Sequence, residues 1–530
     1  MVVFKHMTLK QDLLAVGGLV ALLLVGGLTV TSATDVPRYT SLPESNAPVS
    51  DTGRFVISED FVEGSTARWA LDKLTVRDER EVFSTRFIYR NEDAPEENFD
   101  LRMGTAGQFY SLRTSIGELI GRQDTKPQSF SQWNDAVIQS VVTNTKDRRL
   151  TPDTCNGCNP NLRTNKNSDM NQGGTYIRDT LKKPFYSPQL RYERPSDSET
   201  RTIVWTPPSA LPTTFQSGVL YDQRTKNMGN GIIEITQMIT NIGPDNLENR
   251  QSIPWAVVSG TALDSYGFDN NARKFITLPH VSWEKRTLDM DRTAGWITFF
   301  NRKERLGVSF ITGGEKYAYG RNSPIWRSSD YRIGDYIRKD LGGANDFILS
   351  ARRSLNIGKG QTVFFRYYIS IGTLPKMRSS GYMYEPYTDY GYVNYTEQTS
   401  EAEGLNNVCL LNGQRLTIDN CSDSDAIFRL YDHPIPDAAP VFALWHTKAK
   451  RWVYSNDPYA ISRISKNNPG KFYDGRTRYF GMLGWAIPAS DASLPADAYV
   501  KPQAISINAN MSDLSGYLFR SAQNEQPLAE

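Results

Sequence analysis

The stretch from Met228 to Val258, MGNGIIEITQMITNIGPDNLENRQSIPWAVV, decides the fold class of this 530-residue chain. A Gly-Asn-Gly turn opens it, and Asn241, Gly243 and Pro244 close its first half with residues that favour turns. Between them, every second residue would share one face of a strand: Ile233, Ile235, Gln237 and Ile239. This period of two predicts a long antiparallel strand from Ile232 to Thr240 that buries one face and exposes the other to solvent.

Other short alternating segments support an all-β reading of the region around this strand. They include residues 81–89, 202–205, 296–300, 307–311 and 362–371. No long amphipathic helix interrupts them up to about residue 375, and Gly, Pro and Asn punctuate them. Many short strands with such turns predict a large antiparallel β-sandwich, or supersandwich, followed by a small β-rich C-terminal module.

The composition suggests a division of the chain into six parts. We expect a signal peptide or signal-anchor in 1–35, a Pro/Ser-rich linker in 36–54 and the β-supersandwich in 55–375. A Tyr-rich linker in 376–404, the C-terminal module in 405–500 and a polar tail in 501–530 complete it. The long polar stretch 144–200 is poor in aliphatic residues, which is typical of a functional or mobile loop.

The N-terminus predicts export. Lys5 and Lys10 precede an apolar run from Leu13 to Val30, and Thr31-Ser32-Ala33 follows at the spacing of a cleavage site. The run of residues 13–30 is also just long enough to span a bilayer as a retained anchor, which would bring the protein to a membrane. Both interpretations place residues 36–530 outside the cytoplasm.

The net charge and the cysteines indicate which partners, disulfides and bound metals to expect. With 60 basic and 58 acidic residues well mixed, the net charge of +2 gives no reason to expect nucleic acid binding. Cys409 and Cys421 flank an Asn-Gly turn and predict a disulfide across a hairpin, and Cys155 and Cys158 predict a small disulfide loop. Two distant Cys pairs without nearby His do not favour zinc, and no cofactor-binding motif is present. Sequons for glycosylation begin at Asn394, Asn420 and Asn510.

Several short segments of the chain resemble motifs of a known family. The segments Thr240-Asn241-x-Gly243 and Ile253-Pro254-Trp255, with Ala294-Gly295-Trp296 and Leu306-Gly307-Val308, resemble motifs of the galactose-mutarotase-like supersandwich. That resemblance implies carbohydrate as the class of ligand, without a particular reaction. In the C-terminal module, Phe428-Arg429-Leu430-Tyr431 and Gly484-Trp485 are similar to small lectin-like repeats.

Candidate site residues come from the polar segments and from the histidines. An aromatic side chain beside amides and carboxylates can bind a sugar by stacking and hydrogen bonding. Cationic loop residues with a tyrosine can bind a sugar that carries a carboxylate. The candidate ligand-binding residues are Arg113, Trp133, Asn134, Asp135, Gln139, Tyr176 and Arg178. His280 is the only histidine within 55–375, and Glu118 is a candidate carboxylate partner for acid–base catalysis if the fold brings them together.

The leading hypothesis is an exported carbohydrate-binding protein that holds a glycan in a groove of the sandwich. One alternative is a polysaccharide lyase or glycosidase on the same scaffold. Another is a structural surface or virion protein with an attachment module. Two points are left for the structure: whether Gln237 is a buried amide or a ligand contact, and whether Pro254 and Trp255 only shape the fold, as we expect.

Overall fold

A computed structural model describes part of the chain. These are residues 42, 44–50, 53–60, 84–104, 106–120, 138–144, 168–173, 187, 189–206, 218–243, 246–247, 250–280, 286–313, 329–337, 345–393, 405–411, 415–418, 422, 426–431, 439–446, 451–455, 477–488 and 519–520. The chain divides into two compact units, Met1–Asp35 and Val36–Glu530, and every described residue belongs to the second. None of the helices in the described ranges has the length and apolar character needed to cross a membrane.

The first large sheet, sheet I, is antiparallel and has eleven strands among the described residues. Its main path runs through β1 (Arg54–Asp60), β2 (Ser84–Arg90), β3 (Phe99–Met103), β4 (Phe109–Thr114), β6 (Ile138–Asn144), β12 (Arg250–Val258), β19 (Asn345–Ser354), β18 (Ser329–Ile337) and β15 (Arg286–Asp289). β5 (Gly117–Glu118) pairs with β4, and β7 (Ser168–Asn171) pairs with β6.

The second large sheet, sheet II, has ten described strands and contains the strand predicted from the opening stretch. Its path runs through β14 (Phe275–Pro279), β13 (Ser265–Asp269), β16 (Trp296–Phe300), β17 (Leu306–Ile311), β20 (Thr362–Thr373), β11 (Ile232–Asn241), β10 (Val219–Gly229), β9 (Glu199–Thr206) and β8 (Gln189–Ser196), with β21 (Asp389–Tyr392) on β20. A turn with positive φ at Gly229, Asn230 and Gly231 joins β10 to β11, as the sequence predicts.

A third sheet forms the C-terminal module. Its strands follow the order β23 (Arg415–Ile418), β22 (Leu405–Leu411), β24 (Ala426–Tyr431), β27 (Thr477–Pro488), β25 (Ala439–His446) and β26 (Arg451–Ser455), and β28 (Phe519–Arg520) pairs with β27. The described structure is therefore all-β with a large antiparallel sandwich and a small β-rich module, and the predicted fold class is confirmed. The likeness of the module to lectin repeats stays a prediction.

One hydrophobic core fills the space between sheets I and II. It contains the inward side chains of alternate residues in β11 and β20, such as Ile233, Ile235, Val363 and Ile369, together with inward residues of sheet I such as Leu349. All five are 0% exposed. Burial of aliphatic side chains on this scale is the dominant stabilising contribution to a sandwich.

β11 differs from the sequence prediction in one respect, because all ten of its residues are buried. The face that was expected to meet water is covered by residues 44–50, which we call the N-terminal strap. The Ser50 amide donates to the Met228 carbonyl at 2.8 Å, and the Arg366 guanidinium donates to the Glu44 carbonyl at 2.9 Å. Ala47 is buried in a cluster with Met228 and Tyr368. The expectation of one solvent-exposed face is therefore wrong, since a distant segment covers it.

Elements on both sides of residues 55–375 also pack on the sandwich. The strap lies within 36–54, where the composition suggests a linker, and it is packed on sheet II. The helix α1 (Leu374–Tyr384) and the strand β21 lie within or next to the predicted Tyr-rich linker. Pro375 stands in the first turn of α1, where its missing amide hydrogen costs nothing. The Tyr384 hydroxyl donates to the Pro48 carbonyl at 2.9 Å, which joins helix and strap.

Candidate functional site

The outer face of sheet II is closed by charged groups as well as by the strap. Arg224 is only 4% exposed, and its guanidinium lies 2.6 Å from the Glu44 carboxylate and 3.8 Å from those of Glu199 and Glu234. The Tyr368 hydroxyl donates to Glu234 at 2.9 Å. Burial, and then the adjacent Glu234 charge, raise the pKa of Tyr368 above its ordinary value. This cluster holds the strap in place, so this face offers a ligand little room.

The outer face of sheet I, which points away from sheet II, carries a row of one tryptophan and four polar side chains across five strands. Residues in direct register along that row are Gln139 on β6, Trp255 on β12, Ser350 on β19, Arg332 on β18 and Thr287 on β15. We call them the polar row. Their neighbours along each strand, such as Ala256 and Leu349, belong to the core, so the row faces outward. At about 4.8 Å between strands, the row spans about 19 Å.

A second row lies beside the polar row and stiffens it. Ser252 on β12 is in register with Arg352 on β19, and Arg352 is in register with Asp330 on β18. The Arg352 guanidinium donates from Nε and Nη2 to the two carboxylate oxygens of Asp330 in a bidentate pair, at 2.7 and 2.8 Å. The Ser252 and Ser350 hydroxyls are 2.6 Å apart, which ties the two rows together. Arg352 and Asp330 are each 8% exposed, so this ion pair is largely shielded from solvent.

Trp255 occupies the centre of the polar row and is partly buried. The pairing of β12 with both neighbours shifts register between Ser252 and Trp255. The shift lets Ile253 and Ala256 both enter the core while Trp255 stays on the outer face. Gln139, beside it, is 2% exposed and accepts a hydrogen bond from the Gly173 amide at 2.9 Å. The site therefore offers an aromatic side chain flanked by an amide on one side and by hydroxyls and guanidinium groups on the other.

Two predicted residues lie together on the same outer face, on β4 and β5, beyond the Gln139 end of the polar row. The Arg113 guanidinium, which is 64% exposed, is 3.4 Å from the Glu118 carboxylate, which is 6% exposed. Glu118 also accepts hydrogen bonds from the Ser111 hydroxyl at 2.6 Å and from the amide of Leu112. These donors fix the carboxylate to the β4–β5 hairpin. Arg113 and Gln139 thus share a face, as a groove requires.

His280 lies at the end of β14, on sheet II, and not on the strands that carry Glu118. Its amide donates to the Asp264 carbonyl at 3.0 Å, and its ring centroid is 3.9 Å from that of Phe347. Phe347 is a core residue of sheet I, so the imidazole packs at the margin of the core. Glu118 belongs to a hairpin of the outer face. A joint catalytic role for His280 and Glu118 stays a prediction.

The remaining candidate residues cannot be placed. Trp133, Asn134, Asp135, Tyr176 and Arg178 lie outside the described residues. So do Cys155, Cys158 and Cys421, whereas Cys409 is buried and disulfide-bonded. In the part of the chain that the structure describes, no three His, Cys, Asp or Glu side chains are arranged to hold a metal ion.

Gln237 is a buried amide and not a ligand contact. Its side-chain nitrogen donates to the Gln172 and Gln223 carbonyl oxygens at 3.1 and 3.2 Å, and its oxygen accepts from the Ser140 hydroxyl at 2.6 Å. Gln172 donates in turn to Gln223 at 2.7 Å. These four residues, between 0% and 3% exposed, form what we call the glutamine network between the two sheets. Such a network contributes specificity of packing because each buried polar group has a partner.

The residues at the centre of the polar row were not among the site residues predicted from the sequence. Trp255 was expected to shape the fold, and Ser252, Ser350 and Arg332 were not singled out. Pro254 did carry a usable signal, since proline inside a strand pattern marks an edge or a bulge that re-aims neighbouring side chains. No signal within one strand could have aligned Arg332 with Trp255, because two pairings with β19 set that register.

Comparison with known proteins gives matches by structure alone. No family model and no curated protein matches the sequence. Among solved structures, a galactose mutarotase-like protein from Clostridium acetobutylicum superposes with a TM-score of 0.32 at 7% identity, covering 59% of this chain and 97% of the other. A putative aldose 1-epimerase from Klebsiella pneumoniae gives 0.31 at 7% identity, with 63% and 88% covered.

A galactose 1-epimerase from Lactobacillus acidophilus gives a TM-score of 0.31 at 8% identity, with 64% of this chain and all of the other covered. These neighbours are galactose mutarotase-like and aldose epimerase structures. Similarities this distant say nothing about the ligand, reaction or partner of this chain.

Proposed function

We propose that the protein binds carbohydrate on the outer face of sheet I, with the polar row as the binding surface. The observation that carries this proposal is the alignment of Trp255 with Gln139 on one side and Ser350 and Arg332 on the other. A sugar ring has apolar faces and a rim of hydroxyls. An indole ring beside amide, hydroxyl and guanidinium groups can satisfy both at once.

The burial pattern along the row supports a recessed surface. Gln139 and Ser350 are 2% and 7% exposed, Trp255 is partly buried, and Arg332 is exposed. Buried polar groups at an outer face are held in place by the rest of the protein, here by Gly173 and Ser252. A surface that is already ordered loses little conformational entropy when a ligand binds.

We also propose that the binding region acts outside the cytoplasm. The predicted leader in residues 1–35 and the disulfide-bonded Cys409 support this placement, because disulfides persist in oxidising compartments. Expression of the full chain with a C-terminal reporter, followed by protease treatment of intact cells, would test it. Protection of the reporter from protease inside intact cells, with none in the medium, would contradict the placement.

The experiment that tests binding is a panel of soluble polysaccharides in affinity electrophoresis with the purified protein. We expect retardation by at least one polysaccharide, and a loss of about tenfold or more in affinity in the variant Trp255→Ala, which corresponds to about 1.4 kcal/mol. The control variant Phe275→Ala removes another partly buried aromatic, on the edge strand β14 of sheet II. It should bind as the wild type does.

Two results would contradict the proposal. One is that no polysaccharide on the panel retards the wild type. The other is that a polysaccharide binds equally well to the wild type and to a folded Trp255→Ala variant, since the ligand would then lie elsewhere. Unfolding midpoints of both variants show whether the fold is retained.

A further inference from the structure

The carboxylates of the outer face of sheet I are already engaged by groups of the protein. Asp330 is held by Arg352 in the bidentate pair. Asp289, on the next strand, accepts a hydrogen bond from the Asp291 amide at 2.9 Å and caps the turn that follows. Near the polar row, the Asp330 carboxylate is therefore neutralised by Arg352, and the Asp289 carboxylate is hydrogen-bonded to the backbone.

The same holds at the other end of the face. The Arg86 guanidinium binds both oxygens of Asp100, and Arg113 is paired with Glu118. Asp100 also has a second arginine, Arg102, at 3.8 Å. Both carboxylates are therefore already paired, and a further cation on this face has neither of them left as a partner.

Arg332 is such a cation. It is exposed, and within the described ranges it makes no ion pair or side-chain hydrogen bond. Ser350 and Thr287 flank it in register. Asp330, two residues earlier on the same face, is about 6.8 Å away along the strand and is occupied by Arg352. Two residues further on along β18 stands Gly334, which contributes no side chain to this face.

Arg332 also lies at a useful distance from the aromatic side chain. Two strand spacings separate it from Trp255, about 9.6 Å between Cα positions. A long arginine side chain can therefore reach a substituent of a sugar stacked on Trp255 or of the next sugar in the chain. The fork of the guanidinium matches the oxygens of a carboxylate or sulfate, which it binds through two hydrogen bonds.

We infer that the polar row recognises acidic glycans, and that Arg332 is the specificity-determining residue that binds their carboxylate or sulfate groups. This inference rests on the proposed carbohydrate-binding function and names the class of ligand. The shared chemistry is an anionic group with two or three oxygens. Binding should weaken as salt rises, since an exposed ion pair is screened.

The test uses the full-length protein and three soluble polymers. Polygalacturonate carries carboxylates without sulfate, dextran sulfate carries sulfates without carboxylates, and dextran is neutral. We expect at least one acidic polymer to bind about tenfold more tightly than dextran. The variant Arg332→Gln should lose about tenfold in affinity for that polymer and clearly less for dextran, because a neutral sugar offers the guanidinium hydroxyls but no anionic oxygens. Arg332→Lys should recover part of the loss, because it keeps the charge and loses the fork.

A matched control separates specific recognition from net charge. Arg305 is an exposed arginine in the hairpin between β16 and β17 of sheet II. The variant Arg305→Gln removes the same charge from the other sheet and should bind as the wild type does. Whether the carboxylated or the sulfated polymer responds to Arg332→Gln identifies the source of the anionic group.

The outcomes distinguish the two levels of the proposal. If a polymer binds through Trp255 but Arg332→Gln matches the wild type for every polymer, the acidic specificity is refuted and carbohydrate binding stands. Equal losses in Arg332→Gln and Arg305→Gln would also refute it, since general charge would then explain binding. If none of the polymers binds and the wider panel is negative too, both the inference and the proposed function are wrong.

Discussion

The glutamine network gives the sharpest prediction about stability, through the variant Gln237→Met. Methionine has nearly the same length and volume as glutamine, so the change leaves little void in the core. It removes two hydrogen bonds that Gln237 donates to Gln172 and Gln223, and one that it accepts from Ser140. Two of the three partners keep another hydrogen bond and one does not, and this difference determines the expected loss of unfolding free energy.

Gln172 and Gln223 each keep a donor after the substitution. The Gln172 carbonyl oxygen still accepts from the Ser140 amide at 3.1 Å, and the Gln223 oxygen still accepts from Gln172 at 2.7 Å. The Ser140 hydroxyl, in contrast, loses its acceptor in a residue that is 0% exposed. An orphaned buried hydroxyl costs roughly 1–3 kcal/mol, and each of the two other bonds contributes about 1 kcal/mol or less. We expect a total loss of about 3 kcal/mol.

Because Gln237→Met leaves the Ser140 hydroxyl without an acceptor, the substitution Ser140→Ala should affect stability with opposite sign in the wild type and in that variant. Ser140→Ala in the wild type leaves the Gln237 oxygen without its donor and should destabilise by about 1–2 kcal/mol. In the Gln237→Met background the same change removes the orphan and should raise stability by about 1 kcal/mol. Urea titrations followed by circular dichroism measure all four proteins, with the slope checked for constancy.

Additive losses in this double-mutant cycle would refute the reasoning, because they would show that Ser140 and Gln237 do not interact. A loss below about 1 kcal/mol for Gln237→Met would also contradict it. The variant Gln361→Met is the control. Gln361 is partly buried at a turn and accepts one bond, from the Gly358 amide at 2.8 Å, so the expected cost is about 1 kcal/mol or less.

Two further predictions concern the strap and the tyrosines. In Gly229→Ala, the new methyl group would lie 1.7 Å from the Ser50 carbonyl oxygen, and φ at this position is +75°. We expect the strap to detach, which limited proteolysis within residues 36–50 would report as faster cleavage; unchanged cleavage would contradict the packing. Burial raises the pKa of Tyr382 and Tyr384 to about 12 each. Because their unfolded pKa is about 10, this contribution to stability is complete below pH 10 and is lost as the pH rises towards 12. Urea midpoints should fall across that window, and less so when both tyrosines are changed to Phe; midpoints independent of pH would refute this.

The sequence predicts the strands better than it predicts their surroundings. The alternation of Ile233, Ile235 and Ile239 indicates β11 and its inward face, and both are confirmed. The burial of its other face could not be predicted, because the covering strap is distant in the chain. Glu44 and Arg224, which join strap and sheet, are separated by 180 positions. Period-two patterns report local geometry and carry no information on what packs against the strand.

The candidate site shows the same limit. Arg113 and Gln139 were selected by residue type, and the structure places both on the outer face of sheet I. Trp255 and Arg332 were not among the predicted site residues, because only the pairing of three strands brings them into one row. Register between distant strands is decided by tertiary packing, and a single sequence does not reveal it.

Covalent footprinting with mass spectrometry tests the central claim most directly, because it reports on the unmutated protein. Oxidation of tryptophans and modification of arginines would be compared with and without a saturating amount of a polysaccharide that binds. We predict strong protection of Trp255 and Arg332, and no change at Arg305. Unchanged reactivity of Trp255 and Arg332, with protection elsewhere, would show that carbohydrate does not bind to the outer face of sheet I.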